Sequence, residues 1–383
     1  MGYLRPSLKP MKELQNILKA FEQNKNSGQY TAIATLVKAQ GSTYRRPGAR
    51  MLMTSQGKMV GSLSGGCLEG DVFEQAQAVM TSGKSIVVQY DTMSDEDIIW
   101  GLGLGCNGIV QILIERIEIE SPFNPLAFLA DFLHQRQAGV LATVFHVEGQ
   151  VKTEVATRLM LYPDGTLKSN IENADLVDQI RDDAWKSLDD SRSIVKTYPL
   201  PTGKAEVFIE VIQPPVPLMI FGAGHDAVPL VRLAQELGWY VTVVDSRQAD
   251  ATRERFPSAD EVILTRPENI SDCVRVDNRT VAVVMTHNYL HDLELLKTLL
   301  PSPVRYLGIL GPKSRTEKLF QELQEQGITP TENQRQRLYS PVGLDIGADT
   351  PEEIALSIVA EIQSVLANHS GGSLRNKLGP IHD

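Results

Sequence analysis

The stretch LMIFGAGHDAVPLVRLAQELGWYVTVVD, residues 218–245, decides the fold of the second part of the chain. Its two ends, Leu218–Phe221 and Tyr240–Val244, are short apolar runs, as expected of strands buried on both faces of a parallel sheet. A glycine turn at Gly222–Gly224 leads into a helix that we predict from about Asp226 to Leu237. Strand, glycine turn, helix and strand in this order predict a βαβ unit of a doubly wound sheet.

The same unit carries residues expected of a dinucleotide site. Asp245 ends the second strand, 21 residues after Gly224, at the reach expected for a ribose hydroxyl. Ala227 takes the third position of the glycine pattern and is small enough for close packing. We therefore expect a Rossmann-like domain in which Gly222, Gly224 and Asp245 are candidate contacts for NAD(P). A Rossmann domain used as a scaffold, or for another phosphate ligand, is the alternative, and Arg247 leaves the choice between free and phosphorylated ribose open.

A histidine follows a later strand of the same domain. His287 comes two residues after the predicted strand Thr280–Met285, and ligands of doubly wound sheets bind at the carboxyl ends of the strands. His287 is therefore a candidate binding residue. His291 would share a helix face with it if the helix began this early, which would make half of a metal site. No third ligand is evident in the sequence, and we predict no metal.

The proline-rich stretch Gln213–Pro217 (QPPVP) marks the clearest break between domains. We expect an α/β domain over residues 1–213, the Rossmann-like domain over residues 216–367, and a tail over residues 368–383.

Two glycine-rich stretches of the first domain each surround a cysteine. One reads GSLSGGCLEGD at Gly61–Asp71 and contains Cys67; the other reads GLGLGCNG at Gly101–Gly108 and contains Cys106. Runs of glycine indicate positive φ or a close approach of the backbone to another group. The first stretch lies between a predicted strand and a predicted helix, where free N–H groups can bind an anion. Two tight turns with buried, inert thiols are the alternative.

The first domain also contains an internal repeat. Four short matches share an offset of 108 residues: 34–37 with 142–145, 50–53 with 158–161, 57 with 165, and 85–87 with 193–195. They predict two related halves, at about 30–115 and 139–212, with the last strands aligned through Ile109 and Val207 at an offset of 98. The second half lacks both cysteine stretches. Because a requirement of the fold would be kept in both halves, this favours a functional site at the two thiols.

The composition limits the class of protein. The chain has 383 residues, 42% hydrophobic and 22% charged, with a formal net charge of -10. An acidic chain argues against nucleic acid and anionic membranes as partners. Three cysteines cannot all pair, no signal peptide is visible, and no apolar run reaches about 18 residues. We therefore expect a cytoplasmic protein with free thiols, and a homodimer because two-fold dimers are the commonest symmetric assembly.

Distinctive motifs occur at both ends of the chain. They are GSTYRRPGARMLM, GSLSGGCLEGDV and GLGLGCNG in the first domain, and FGAGHDAVPL, VVDSR, MTHNYLHDLE, YLGILGPKSR and SPVGLDIGADTPEEIALSIVAEI in the second. With them the chain resembles the XdhC/CoxI family of xanthine dehydrogenase accessory proteins. The resemblance implies a chaperone that binds molybdenum cofactor, a molybdopterin with a phosphate tail. It would shield the cofactor while a cysteine desulfurase replaces an oxo ligand with sulfido, and then deliver it to a molybdenum hydroxylase apo-enzyme.

The resemblance points to Cys67, preceded by Gly65 and Gly66, and to Cys106 as cofactor-binding residues. Thiolates are soft ligands that suit a metal–sulfur centre, and a helix N-terminus lowers the pKa of a thiol. Arg50 is a candidate for holding the phosphate tail through forked hydrogen bonds. An arginine at the matching position of the second half leaves a structural role for Arg50 equally open.

One residue departs from the family's pattern, since Asp226 stands where the family usually has valine. An acid at this helix start disfavours a pyrophosphate, although it suits the helix dipole. The leading hypothesis is a cofactor chaperone rather than an enzyme with turnover. An NAD(P)-dependent oxidoreductase built on the second domain is the alternative, and a persulfide carried on Cys67 is a third, weaker hypothesis.

Overall fold

The computed structural model describes residues 11–66, 68–91 and 108–378 of the chain. These residues divide into two compact units between Pro214 and Pro215, inside the proline-rich stretch Gln213–Pro217. Antiparallel sheets form the first unit and a parallel sheet forms the second. The predicted α/β class with a Rossmann-like second domain is thereby confirmed.

The first half of the first unit is a sheet whose described strands have the order β3-β2-β1-β5-β4, all antiparallel. Helix α2 packs on β1 and β5 through a core that includes Val72 and Ala76. The elements are α1 (Met11–Asn24), β1 (Thr31–Gly41), β2 (Arg50–Thr54), β3 (Met59–Gly61), α2 (Glu69–Ser82), β4 (Ile86–Asp91) and β5 (Gly108–Arg116).

The second half has a sheet of the same order, β8-β7-β6-β10-β9, which is again antiparallel. Asn124 and Asn173 cap its two helices by accepting hydrogen bonds from backbone N–H groups of the first turn. The elements are α3 (Pro125–Gln135), β6 (Gly139–Gly149), β7 (Arg158–Leu161), β8 (Leu167–Ser169), α4 (Ala174–Asp189), β9 (Ile194–Leu200) and β10 (Gly203–Ile212).

Both sheets have a β-bulge at the same place. Val37 is the extra residue where β1 pairs with β5, and Phe145 is the extra residue where β6 pairs with β10. Both side chains are buried, and they pack in one cluster with Leu113 and Phe208. The bulges therefore turn equivalent side chains of the two halves toward each other.

The predicted alignment of the last strands was wrong. Leu113 pairs with Thr35, and Phe208 pairs with the equivalent Thr143, so the offset between β5 and β10 is 95 residues rather than 98. Both strands contain a short apolar run, at 112–114 and at 207–209, and hydrophobicity alone does not fix the alignment of such runs. A better guide to the alignment of β5 with β10 is a glycine followed seven residues later by a glutamate. This pair occurs in both strands, as Gly108 with Glu115 and as Gly203 with Glu210.

The second unit is a doubly wound domain. Its described strands have the order β13-β12-β11-β14-β15-β16 and are all parallel. The elements are β11 (Pro217–Phe221), α5 (Ala227–Glu236), β12 (Tyr240–Asp245), β13 (Glu261–Leu264), α6 (Ile270–Cys273), β14 (Val281–Val284), α7 (Tyr289–Leu299), β15 (Tyr306–Ile309), α8 (Lys313–Glu325), α9 (Glu332–Gln336), β16 (Leu338–Tyr339) and α10 (Pro351–Leu366).

Helices cover both faces of this parallel sheet. One core joins α5 and α10 to alternate strand residues such as Ile220 and Val243. The other joins α7 and α8 to residues such as Phe221 and Val284. The strand order reverses at β11, so the turn after β11 and the turn after β14 lie side by side, where ligands of doubly wound domains bind.

Candidate functional site

The two candidate thiols, Cys67 and Cys106, lie outside the residues that the structure describes, and their roles stay predictions. The residues before Cys67 show why this loop contains glycine. Gly65 and Gly66 have φ values of 146° and 115°, a region that other residues disfavour. A Cβ on Gly65 would lie 3.4 Å from the ring of Tyr44.

The Glu69 carboxylate lies inside this loop and accepts six hydrogen bonds from it. Oε1 accepts from Ser62 Oγ, Leu63 N and Ser64 N at 2.9–3.1 Å, and Oε2 accepts from Ser64 Oγ, Gly66 N and Leu68 N at 2.7–3.2 Å. Partial burial tends to raise the pKa of Glu69, but the hydrogen bonds outweigh it and lower the pKa to about 2. The N–H groups that we expected to meet an anion therefore already bind a carboxylate of the chain.

Arg50 is turned into the interior of the first unit. Its guanidinium donates two hydrogen bonds to the Glu210 carboxylate of the second half, one of them at 3.0 Å, and Nη1 also donates to Gly48 O. Arg50 is 5% exposed and Glu210 is 1% exposed. Of the two roles left open for Arg50, this ion pair supports the structural one.

A second ion pair joins the two halves with their roles exchanged. Arg158, the counterpart of Arg50, donates to the Glu115 carboxylate of the first half, and both residues are buried. Each half thus supplies one arginine and one glutamate to the pairs that join the two halves. Neither glutamate was predicted, because partners that lie 160 and 43 residues away leave no local signal.

The glycine turn of the second unit has the close packing expected of a Rossmann fold. Gly222 has a φ of 120°, and a Cβ there would clash with the carbonyl of Met285 at the end of the neighbouring strand. Ala227, in the third position of the pattern, is fully buried. The turn is therefore held between β11 and β14 with no room for a side chain at Gly222.

Asp245 ends β12 and is buried, with both carboxylate oxygens in use. Oδ2 accepts hydrogen bonds from Ala223 N at 2.6 Å and Arg247 Nη2 at 2.7 Å. Oδ1 accepts from the backbone N and the Nε of Arg247. Burial tends to raise the pKa of this carboxyl, but the hydrogen bonds from Arg247 and Ala223 outweigh it and hold the pKa below its ordinary value. A ribose hydroxyl would have to replace Arg247 as the donor.

Asp226 and His287 meet at the mouth of the glycine turn. His287 Nε2 lies 2.7 Å from Asp226 Oδ2, and the other carboxylate oxygen, Oδ1, is buried with no hydrogen-bond partner among the described residues. Oδ1 is also 2.6 Å from where a Cβ on Gly224 would be. His287 has a φ of 58°, which is uncommon for a residue other than glycine. The structure therefore brings Gly224 and His287 together, with Asp226 between them.

The two histidines do not share a helix face. Helix α7 begins at Tyr289, after His287, and is capped by Asn288, whose side chain accepts from the N–H groups of Leu290 and His291. His291 instead lines a small pocket with Asp245 and other residues. Within the described ranges, no three His, Cys, Asp or Glu side chains are grouped to hold a metal.

A buried acid behind this turn was not predicted. Asp292, 1% exposed, accepts a hydrogen bond from Thr286 Oγ1 at 2.6 Å and another from Arg315 Nη2 at 2.6 Å. The network joins the turn after β14 to helix α8. Asp292 lies between His291 and Glu294, so its neighbours in the sequence gave no sign that it is buried.

Comparisons with known proteins bear on the whole chain. The model described as "XdhC and CoxI family" matches two stretches of the chain, residues 25–91 and residues 132–199. The model described as "XdhC Rossmann domain" matches residues 218–362. The described part of the chain contains no helix long and apolar enough for a membrane span.

Individual relatives cover most of the chain. A Bacillus subtilis protein, named as a probable xanthine dehydrogenase subunit, is 37% identical over 86% of this chain and 91% of its own length. The Escherichia coli "Molybdenum cofactor insertion chaperone PaoD" is 23% identical over 88% of this chain and 84% of its own. A crystal structure titled as a xanthine dehydrogenase from Bacillus halodurans has a TM-score of 0.74 and 31% identity, covering 94% of this chain and 98% of that one. On these matches, the chain belongs to the XdhC and CoxI family, and its parallel-sheet unit is an XdhC Rossmann domain.

Proposed function

We propose that this protein binds molybdenum cofactor and supports its sulfuration and its insertion into a molybdenum hydroxylase of the xanthine dehydrogenase type. The match to the relative named as a molybdenum cofactor insertion chaperone, over 88% of the chain, carries the proposal. The proposed partners are the apo-hydroxylase and a cysteine desulfurase. The proposed setting is the cytoplasm, with the chaperone acting as a homodimer.

The loop around Cys67 supports a binding role in the first unit. Gly66 and Leu68, the residues on either side of Cys67, both donate their backbone N–H groups to Glu69. The backbone that flanks the thiol is therefore fixed by contacts within the chain, without a ligand. A preorganised loop loses less conformational entropy when it binds.

The thiols, rather than Arg50, are the residues that we propose for the cofactor. Arg50 is buried and its charge is paired with Glu210, so it does not present an unpaired charge to a phosphate at the surface. Thiolates of Cys67 and Cys106 are chemically suited to a soft molybdenum–dithiolene centre. The roles of Gly65 and Gly66 are then to give the loop its backbone shape.

Anaerobic loading of the purified chain with molybdenum cofactor tests this proposal. We expect about one cofactor per chain, and at least about tenfold weaker binding in the Cys67→Ala and Cys106→Ala variants, the equivalent of about 1.4 kcal/mol. Cys273→Ala is the matched control, because Cys273 is an exposed thiol of the other unit. Cofactor binding unchanged in the double Cys67→Ala, Cys106→Ala variant would remove the thiols from the proposal. A wild-type chain that takes up no cofactor would contradict the proposal itself.

The alternative of an NAD(P)-dependent oxidoreductase has less support. It requires a ribose at Asp245 and a pyrophosphate at Gly224. The first position is occupied by Arg247 and the second by the carboxylate of Asp226.

A further inference from the structure

The glycine turn of a dinucleotide-binding domain works because its second glycine leaves the backbone bare for the pyrophosphate. In this chain that glycine is Gly224. The space over its Cα is not open, because Asp226 Oδ1 lies 2.6 Å from the position that a Cβ would take, and the His287 ring lies 3.6 Å from it. The chain's own carboxylate therefore occupies the place that a phosphate oxygen would need.

Asp226 is not acting there as an ordinary helix cap. It occupies the N-cap position of α5, where an aspartate normally accepts a hydrogen bond from the N–H groups of the first turn. Its side chain makes no such bond. It turns instead toward Gly224 and His287, and its side chain is only 13% exposed.

The acceptor atom of Asp226 that lacks a donor indicates which kind of ligand is excluded from the glycine turn. Oδ1 is a buried acceptor without a donor among the described residues. A pyrophosphate offers only acceptors and negative charge, so it would leave Oδ1 unsatisfied and add like-charge repulsion at close range. A ligand that fits this position has to bring a hydrogen-bond donor or a positive charge to Oδ1.

We propose that Asp226 is a specificity-determining residue that makes the Rossmann domain of this protein reject dinucleotides. The obstacle at Asp245 is weaker, because the Arg247 side chain is half-exposed, whereas Asp226 Oδ1 is buried. Replacing Asp226 therefore reopens the turn. The proposal is independent of whether the first unit binds molybdenum cofactor.

Calorimetric titration of the full chain with NAD⁺ and with ADP-ribose tests the proposal. We expect the wild-type chain to bind either ligand more weakly than about 1 mM, and Asp226→Val to bind both at least about tenfold more tightly. Asp226→Asn removes the charge but still fills the space over Gly224, so its gain in binding should be smaller than that of Asp226→Val. Asp345→Asn, an exposed carboxyl of the same domain, removes one negative charge elsewhere and should gain nothing.

Adenosine, which lacks the pyrophosphate, separates this effect from a general change in the domain. Its binding should be the same in the wild type and in the Asp226 variants. Circular dichroism identifies a variant that fails to fold, and the other Asp226 variant then decides the result. The proposal is overturned if wild-type protein binds NAD⁺ at micromolar concentration, if folded Asp226 variants gain no affinity, or if adenosine gains as much as ADP-ribose.

Discussion

Two glycine loops of this protein, residues 61–66 in the first unit and Gly222–Gly224 in the second, precede a helix and enclose a carboxylate of the chain itself. Glu69 in the first loop accepts six hydrogen bonds, four of them from backbone N–H groups. Asp226 in the second loop has one partner, His287, and one buried oxygen without any among the described residues. Both oxygens of the carboxylate are hydrogen-bonded in the loop of the first unit, whereas one oxygen of the carboxylate in the second unit has no donor among the described residues.

The difference has opposite consequences for stability. Hydrogen bonds to a charged group each contribute about 1.5–3 kcal/mol, whereas a buried polar atom without a partner costs about 1–3 kcal/mol. Glu69 therefore stabilises its loop, and Asp226 destabilises the turn that contains it. Proteins break local rules of this kind mainly at functional sites, so the unsatisfied acid is the more informative of the two.

The largest expected effect comes from a buried carboxylate that loses its arginine partner, and it provides a reference for the effects at the two loops. Arg50→Met removes both hydrogen bonds that Arg50 donates to the buried Glu210. We expect the free energy of unfolding to fall by about 3–5 kcal/mol, because removing one partner of a buried ion pair is strongly destabilising. Urea denaturation of the variant measures the loss.

Two further variants test that interpretation of Arg50. Arg50→Met combined with Glu210→Leu should recover most of the stability, since both charges of this pair are then absent. Arg181→Met breaks an exposed pair with Asp178 and should change stability by less than about 0.5 kcal/mol. If the double variant is as unstable as Arg50→Met alone, packing rather than charge explains the loss.

The next effect concerns Glu69 and depends on pH. Its folded-state pKa of about 2 lies below the ordinary 4.5, so it contributes stability above the ordinary pKa and loses it as pH falls toward 2. With a discount for solvent screening, we expect Glu69→Gln to lower the free energy of unfolding by about 2 kcal/mol at pH 7. The difference between variant and wild type should shrink steadily between about pH 5 and pH 2.

Glu74→Gln, an exposed carboxyl of the same helix, is the matched control and should follow the wild-type pH curve. Equilibrium unfolding at a series of pH values provides the measurement. A constant difference between Glu69→Gln and wild type across this range would show that the carboxylate charge does not hold the loop.

The smallest expected change in stability concerns Asp226, the carboxylate of the second loop. Asp226→Ala removes the unpartnered buried oxygen and takes one hydrogen bond from His287, which is largely exposed and can bond to water. We expect the variant to be as stable as the wild type or up to about 1 kcal/mol more stable. If the free energy of unfolding, measured by heat or urea, fell by more than about 1 kcal/mol, Asp226 would be an acid that stabilises the fold, as Glu69 is.

The sequence predicted best where structure is local. The apolar runs and glycine turn of residues 218–245 gave β11, α5 and β12 with boundaries within about two residues, because each element is specified by its own pattern. The break at Gln213–Pro217 coincides with the division between units, since adjacent prolines exclude regular structure. The resemblance to the family came from motifs of the same local kind.

Prediction failed where residues distant in the chain meet. The alignment of β5 with β10 follows from how each strand pairs with its neighbour, β1 or β6, and hydrophobicity does not reveal this pairing. Four of the six donors that converge on Glu69 are backbone N–H groups, and the shape of this backbone depends on the positive φ values of Gly65 and Gly66. Likewise, the orientation of Asp226 toward Gly224 depends on where the turn after β14 lies.

The reciprocal ion pairs of the first unit have a consequence for assembly. Because each half contributes one arginine and one glutamate, Arg50 with Glu115 and Arg158 with Glu210, the contact has the self-complementary form of a two-fold interface. The same two bonds form whether the complementary half comes from the same polypeptide or from another molecule of it. Exchange of halves between two chains would leave every one of these charges neutralised, so electrostatics at this contact sets no barrier to domain swapping.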